Sequence, residues 1–289
     1  MAGSACRWLL AFGLLGCLSA EAAGPVWAIR GAHNTVYLAG SIHLLPEADA
    51  ALPPAFARAY ADSACLMMEI DLGKLDGAET LGTLLQHGGL PEGTTLHDLT
   101  GAPRYARTRA AAEELGLSTI ALDHEAPWIV ALQLTELEYA RLGFDPEQGV
   151  EQQLLRRALA DHKSTGGLES LADEMDVFEA LAPAAQLRFL DMVLDDLADT
   201  GEETRAVLVA WRRGDAAQLA ALLASEYRSF PALYDALVID RNRHWLPQIE
   251  QLLQSDTNCL VVVGALHLVG KGGLLEGLRK DGHAPVQLD

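Results

Sequence analysis

Apolar positions in this chain fall into short runs near both ends and into helical spacing through the middle. Residues 26–42 read as two short strands joined by a turn at Gly31-Ala32-His33-Asn34. Residues 64–70 and 258–264 are nearly unbroken apolar runs, the pattern of strands covered on both faces. Pro53-Pro54 can start a helix that runs to about Asp62. Gly88-Gly89 and Pro91-Glu92-Gly93 mark loops, residues 103–115 have helical spacing and stop at Gly116, and Ser118–Leu122 reads as another strand. Helices are then predicted over 127–142, 147–161, 170–181, 184–198, 202–213, 215–225 and 231–254, punctuated by Pro183, Gly201, Gly214 and Pro231. A helix to about Asp281 and a short strand at 285–288 close the chain. The expected fold is α/β: a mixed sheet core built from N- and C-terminal βα segments, with a large helical insertion over about 126–254. No linker divides residues 24–289, which read as one domain.

Two of the apolar runs end alike. Leu38-Ala39-Gly40-Ser41-Ile42-His43-Leu44 and Val262-Val263-Gly264-Ala265-Leu266-His267-Leu268 each carry Gly-x-x-His just past a strand. Ligands of open α/β sheets bind at that carboxyl edge. The run Ala64–Asp71 adds Glu69, an acid that is costly in such a strand unless it is paired, hydrogen-bonded or on a metal. Two imidazoles and a carboxylate can hold a divalent cation with positions left open, and suit Zn, Mn, Co or Fe. Such an ion acidifies water and polarises a carbonyl. Glu69 would be either the third ligand or the base. Arg241, one helical turn from Trp245 and Leu237, could fork onto a carboxylate of substrate or orient Glu69. Glu169, after Gly166-Gly167-Leu168, could reach the site as ligand or general base, or could be a helix N-terminal acid. His124 follows the predicted strand at 118–122, and the remaining histidines sit in polar or turn contexts or on a helix face.

Composition narrows the function. A net charge of −19, with no Lys/Arg cluster, excludes nucleic acid as a partner and disfavours anionic lipid surfaces. Half of the chain is hydrophobic, which excludes disorder. There is no phosphate-binding loop at Gly264–Lys271, no Gly-x-Ser-x-Gly elbow and no His-Glu-x-x-His. Residues 1–23 read as a signal peptide: Arg7, an apolar stretch from Trp8 to Gly16, and the cleavage-site pattern Ala20-Glu21-Ala22. The protein is therefore expected in the periplasm or secreted, with no transmembrane segment in the mature chain. Leu14-Leu15-Gly16-Cys17 offers the alternative of a lipoprotein anchored at Cys17. After cleavage only Cys65 and Cys259 remain; both lie inside apolar strands, so free buried thiols are expected ahead of a disulfide.

The chain resembles the TraB/PrgY/GumN family, which is related to the Tiki proteins. The resemblance rests on Asn34–His43, Leu45-Pro46, Leu52-Pro53, Met68-Glu69-Ile70-Asp71, Pro127-Trp128, Gly143–Val150, Gly167-Leu168-Glu169, Arg241-Asn242 and Gly264–Gly270, and covers nearly all of the chain after about residue 25. It implies a Tiki/erythromycin-esterase-like architecture and a metal-dependent hydrolase, with the Tiki branch acting as peptidases. It places metal at His43, Glu69 and His267, leans toward Mn or Co, favours a site role for Arg241, and implies a peptide or protein substrate. Two departures stand out: Glu151 where members often have Asp, and a polar Lys163–Gly167 where they tend to show a more apolar strand. The alternatives are a non-catalytic extracytoplasmic peptide-binding or sequestering protein and a metal-dependent esterase or envelope-polymer enzyme.

Overall fold

The structure is a computed structural model that describes residues 24–198 and 200–289. The expected signal peptide, with Cys17, lies outside the described residues. From the N-terminal side come β1 (Val26–Arg30), β2 (Thr35–Ser41), the two-residue β3 (Leu45–Pro46), α1 (Pro54–Asp62), β4 (Cys65–Ile70), α2 (Gly77–Gly88) and α3 (Leu96–Leu115). Next are α4 (Thr119–Leu122), α5 (Pro127–Arg141), the two-residue β5 (Phe144–Asp145), α6 (Val150–Ala160), β6 (Ser164–Glu169), α7 (Leu171–Glu179), α8 (Pro183–Asp196), α9 (Thr200–Arg212), α10 (Ala216–Glu226) and α11 (Pro231–Tyr234). A π-helical stretch, Asp235–Asp240, leads into α12 (Arg241–Leu253), followed by β7 (Cys259–Gly264), α13 (Ala265–Leu268), α14 (Leu274–Lys280) and β8 (Val286–Gln287).

Six strands form one mixed sheet in the order β6-β4-β7-β2-β1-β8. The four strands β6, β4, β7 and β2 run parallel to one another, while β1 is antiparallel to β2 and to β8. Every residue of β7 is buried, as its apolar run requires of a central parallel strand. The parallel directions matter most for function. They bring the carboxyl ends of β2, β4, β7 and β6 to one edge, and with them His43, Glu69, His267 and Glu169. Two apolar clusters build the interior. One packs β1, β2, β4 and β7 against α1, α6, α12 and α14. The other lies within the helices, around Trp128, Phe178, Phe189 and Leu190. Trp128 stacks on Phe178 with centroids 5.4 Å apart.

Three expectations need correction. Ser118–Leu122 is not a strand: Thr119–Leu122 is a single helical turn with Ile120 exposed to solvent. The middle of the chain is not wholly helical, because β6 lies within it and forms one edge of the main sheet. Cys65 and Cys259 are not free thiols but a disulfide. They face each other in register across the parallel pair β4 and β7, with Cα atoms 4.8 Å apart. The bridge closes a loop of 194 residues. Replacing both cysteines by serine is expected to lower unfolding stability by about 2–5 kcal/mol. Denaturant titration checks this. A thiol assay of the unfolded, unreduced mature chain should find no free Cys65 or Cys259, and two free thiols would overturn the bridge.

Candidate functional site

The site is assembled at the carboxyl edge of the parallel strands. Glu69, next to last in β4, is buried and uses both oxygens. Oε1 accepts the Gly264 N–H at 2.6 Å and Oε2 accepts Arg241 Nη2–H at 2.7 Å. His267 lies in α13, the single turn after β7, with its Nε2 3.9 Å from Glu69 Oε1. His43 follows β2 by two residues. A methyl group placed on Gly264 would lie 3.3 Å from Glu69 Oε1, 3.5 Å from His43 Nε2 and 3.6 Å from His267 Cδ2. The three side chains thus converge on one small space, which is open because residue 264 has no side chain. Two imidazoles and a carboxylate are a donor set suited to a divalent ion, and the space between them would be filled by a Cβ on residue 264. Among the described residues the donor atoms here that lie within 4.8 Å of one another are carboxylate oxygens of Glu69, Glu169 and Glu174, whereas the His43, Glu69 and His267 donors stand farther apart.

Each imidazole is held from behind by a different partner. Asn242, in the first turn of α12, donates its Nδ2 hydrogens to His267 O at 3.0 Å and Gly272 O at 2.9 Å. Its Oδ1 is therefore an acceptor, and His267 Nδ1–H donates to it at 2.8 Å. Nε2 of neutral His267 is then the acceptor, and Arg241 Nη1–H donates to it at 3.4 Å. Burial keeps His267 neutral, pushing its pKa down to about 3 against the pull of Glu69. His43 instead donates Nδ1–H to Glu151 Oε1 at 2.9 Å, and Ser41 Oγ–H donates to the same oxygen. Glu151 sits in the first turn of α6, fastened beside His43 by the bond from Val150 N–H to Ile42 O, 3.2 Å. The Glu151 carboxylate holds the His43 pKa well above its usual value, more than offsetting burial of the ring's inner face. With 59% of its side chain exposed, His43 is the open side of the cradle, and solvent screens that pairing.

Arg241 occupies the centre of an acidic group. Nε and Nη2 donate to Glu169 Oε1 at 2.9 and 2.5 Å, and Nη2 also reaches Glu174 Oε1 at 3.2 Å. Trp245 Nε1–H donates to Glu169 Oε2 at 2.9 Å, and the Trp245 ring lies beneath the guanidinium, 4.7 Å from its carbon. Burial would raise the Glu69 pKa, but His267, Arg241 and His43 together hold it at about 2. His267 is itself neutral above about pH 3, so near neutrality the guanidinium is its dominant cation. Burial raises Glu169 and Glu174 above the usual range despite Arg241. Two clefts flank Glu169. One, about 500 Å³, is lined by Arg241, Asp173, Asp176 and His244, and the other, about 300 Å³, by Asp71, Asp76, Glu79 and Leu171.

All five residues singled out in the sequence, His43, Glu69, Glu169, Arg241 and His267, meet here. Glu169 closes β6 rather than opening a helix; Ser170 caps α7 through a reciprocal pair with Asp173. Glu174 escaped the sequence reading, although the Ser170-x-x-Asp173 capping box fixes the helix start and so places Glu174 in its first turn. Asn242 and Glu151 were visible only as parts of the resemblance. His124 lies on an exposed turn.

Fold and site define a mixed α/β protein with a His/Glu/His cluster at the carboxyl edge of a parallel sheet core. The chain matches the TraB/PrgY/gumN family over residues 25–287 and belongs to that family. It is similar to the uncharacterized protein YbaP of Escherichia coli (strain K12), 25% identical over 268 residues, which covers 88% of this chain and 97% of that protein. YbaP of Shigella flexneri matches to the same extent. No solved structure matches.

Two outcomes test the geometry. Gly264→Ala, at a backbone conformation open to alanine (φ −47°, ψ 136°), should leave the fold intact by circular dichroism while abolishing any ion binding in the cradle. Undiminished binding in a folded variant would refute the cradle. Nitrogen-15 NMR should show His267 as the neutral Nδ1–H tautomer from about pH 8 to about pH 5, since its folded pKa lies far below that of a free imidazole. The unfolded chain binds that proton and the folded chain does not, so this residue's contribution weakens as pH falls through about 6.5 toward 3. A His267 titration near 6.5 would overturn this.

Proposed function

We propose that the protein is an exported metal-dependent hydrolase that cleaves peptide bonds. One observation carries the reading: the imidazoles of both Gly-x-x-His motifs and the Glu69 carboxylate converge on the space above Gly264. His43, Glu69 and His267 would hold the ion, with Mn or Co favoured by the resemblance and Zn or Fe also suited to these donors. When bound, the metal supplies Lewis acidity toward a carbonyl and water. The chain's own residues do the rest. Glu151 and Asn242 fix the imidazole orientations, and Arg241 keeps Glu69 ionised and aimed at the cradle. Arg241 beside Glu69 favours its ionised form, which suits a ligand better than a base. Glu169 and Glu174, whose pKa values are raised, are better suited to carry a proton. Among the described residues no helix is long and apolar enough to cross a membrane. Anchoring at Cys17 remains the alternative to simple export.

A second reading, a peptide-binding or sequestering protein without catalysis, is favoured by the hydrogen bonds from Gly264 and Arg241 that already hold Glu69, one on each oxygen. Metal content of the purified chain after loading with Mn, Co and Zn in turn separates the two. The wild type should retain one equivalent more than His43→Ala/His267→Ala, and Glu69→Gln, which removes a ligand, should lower metal affinity and peptide hydrolysis with that metal by about 10–100-fold or more. Equal metal in wild type and the folded double variant would sink the hydrolase reading and leave the binding protein.

A further inference from the structure

Away from this site, the carboxyl ends of two helices meet at one imidazole. His87 lies in the last turn of α2; Asp176 and Glu179 lie three residues apart in the last turn of α7, which packs against α2. His87 Nδ1 is 3.2 Å from Asp176 Oδ1 and 2.8 Å from Glu179 Oε2. All three donor atoms lie within 4.8 Å of one another. The imidazole is mostly buried and so held in place, while both carboxylates reach solvent.

The electrostatics of this corner are unusual. The carboxyl end of a helix carries roughly half a negative charge and is stabilised by cations, not acids. The last turn of α7 has no basic residue, yet it holds two carboxylates, and α2 brings a second negative helix end to the same spot. One ring nitrogen with a single N–H cannot fully serve two carboxylates. Both helix ends and both acids favour a multivalent cation between them. A nitrogen and two carboxylate oxygens are donors that zinc-type ions take at about 2.0–2.2 Å, with water completing the shell from the solvent side.

We propose that His87, Asp176 and Glu179 form a second divalent-cation site, of the zinc class, that staples α2 to α7. Its consequence follows from where these helices lie. Asp76, Glu79 and Thr83 of the α2 segment and Leu171 of α7 line one cleft beside Glu169, and Asp176 lines the other. The ion therefore fixes the spacing of the walls on either side of Glu169. This site does not depend on the chemistry proposed for His43, Glu69 and His267.

The test is a calorimetric zinc titration of the purified chain carrying His43→Ala/His267→Ala, so that the cradle contributes nothing. One saturable equivalent is expected. Affinity should weaken by at least about tenfold in Glu179→Gln and binding should vanish in His87→Gln. Zinc should raise the melting temperature only where His87 is present. Should the double variant not fold, the same comparison is made in the wild-type background, where His87→Gln should remove one equivalent of zinc. Absence of saturable binding below about 1 mM, or binding that survives His87→Gln, would overturn the proposal and leave a plain ion pair.

Discussion

The architecture of the site depends on one buried cation. Arg241 lies on α12, Glu69 on β4, Glu169 on β6 and Glu174 on α7, so a single guanidinium joins four elements that are far apart in sequence. Removing a carboxylate from water is costly, and three of them surround this group. Their mutual repulsion is part of why Glu169 and Glu174 stay above the usual pKa range while Glu69 falls far below it. Deleting one member of such a buried pair typically costs about 3–5 kcal/mol, because the other is left uncompensated. An apolar cluster of the same volume would stabilise the fold as well or better, so stability alone does not account for it. What an apolar cluster cannot provide is an ionised carboxylate, held at fixed orientation, beside two imidazoles.

Those imidazoles come from matching motifs yet sit in opposite environments. His267 is buried, backed by a neutral amide and confronted by a guanidinium, so it stays unprotonated. His43 is open to solvent and backed by a carboxylate, so it favours a positive charge on its Nε2 side. A proton or a metal ion can meet that preference, because both leave the Nδ1–H bond to Glu151 in place. Glu151 supplies that carboxylate from the first turn of α6, one step behind the loop that carries His43.

The legible parts of the sequence were those where packing and chemistry agree. The ends of β7 and β2 are apolar because both faces are covered there; their glycines sit at the last or next-to-last strand position, and their histidines follow within a few residues. β6 was hidden for a physical reason. Its Gly166 and Gly167 stand so close to β4 that added methyl groups would meet Met67 Sδ at 2.6 Å and Asp71 N at 2.6 Å. The strand is polar and glycine-rich because its neighbour leaves no room for side chains, and no periodicity survives to announce it. The disulfide was missed for another reason. Two cysteines in apolar strands look like core residues until the strand order places them opposite each other, and that order is a property of the whole sheet. Ser118–Leu122 misled through composition: a short β-branched run too brief for period to decide, which the chain uses as a single helical turn.

The middle of the chain is thus more than a cover over the sheet. It supplies β6, which extends the parallel edge by one strand, and Glu169 at that strand's end. It supplies Glu151 behind His43, Glu174 beside Arg241, and the helix that presents Arg241, Asn242 and Trp245 together. The two Gly-x-x-His motifs and Glu69 bring the donors, but the middle segment decides their tautomers and charge. A sheet carrying the motifs alone would hold two free-turning imidazoles and an unpaired buried acid, and such an acid would take up a proton rather than stay ionised. The motif pair therefore marks the place of the candidate site, whereas the charge and orientation of its groups are set by residues outside the two Gly-x-x-His motifs.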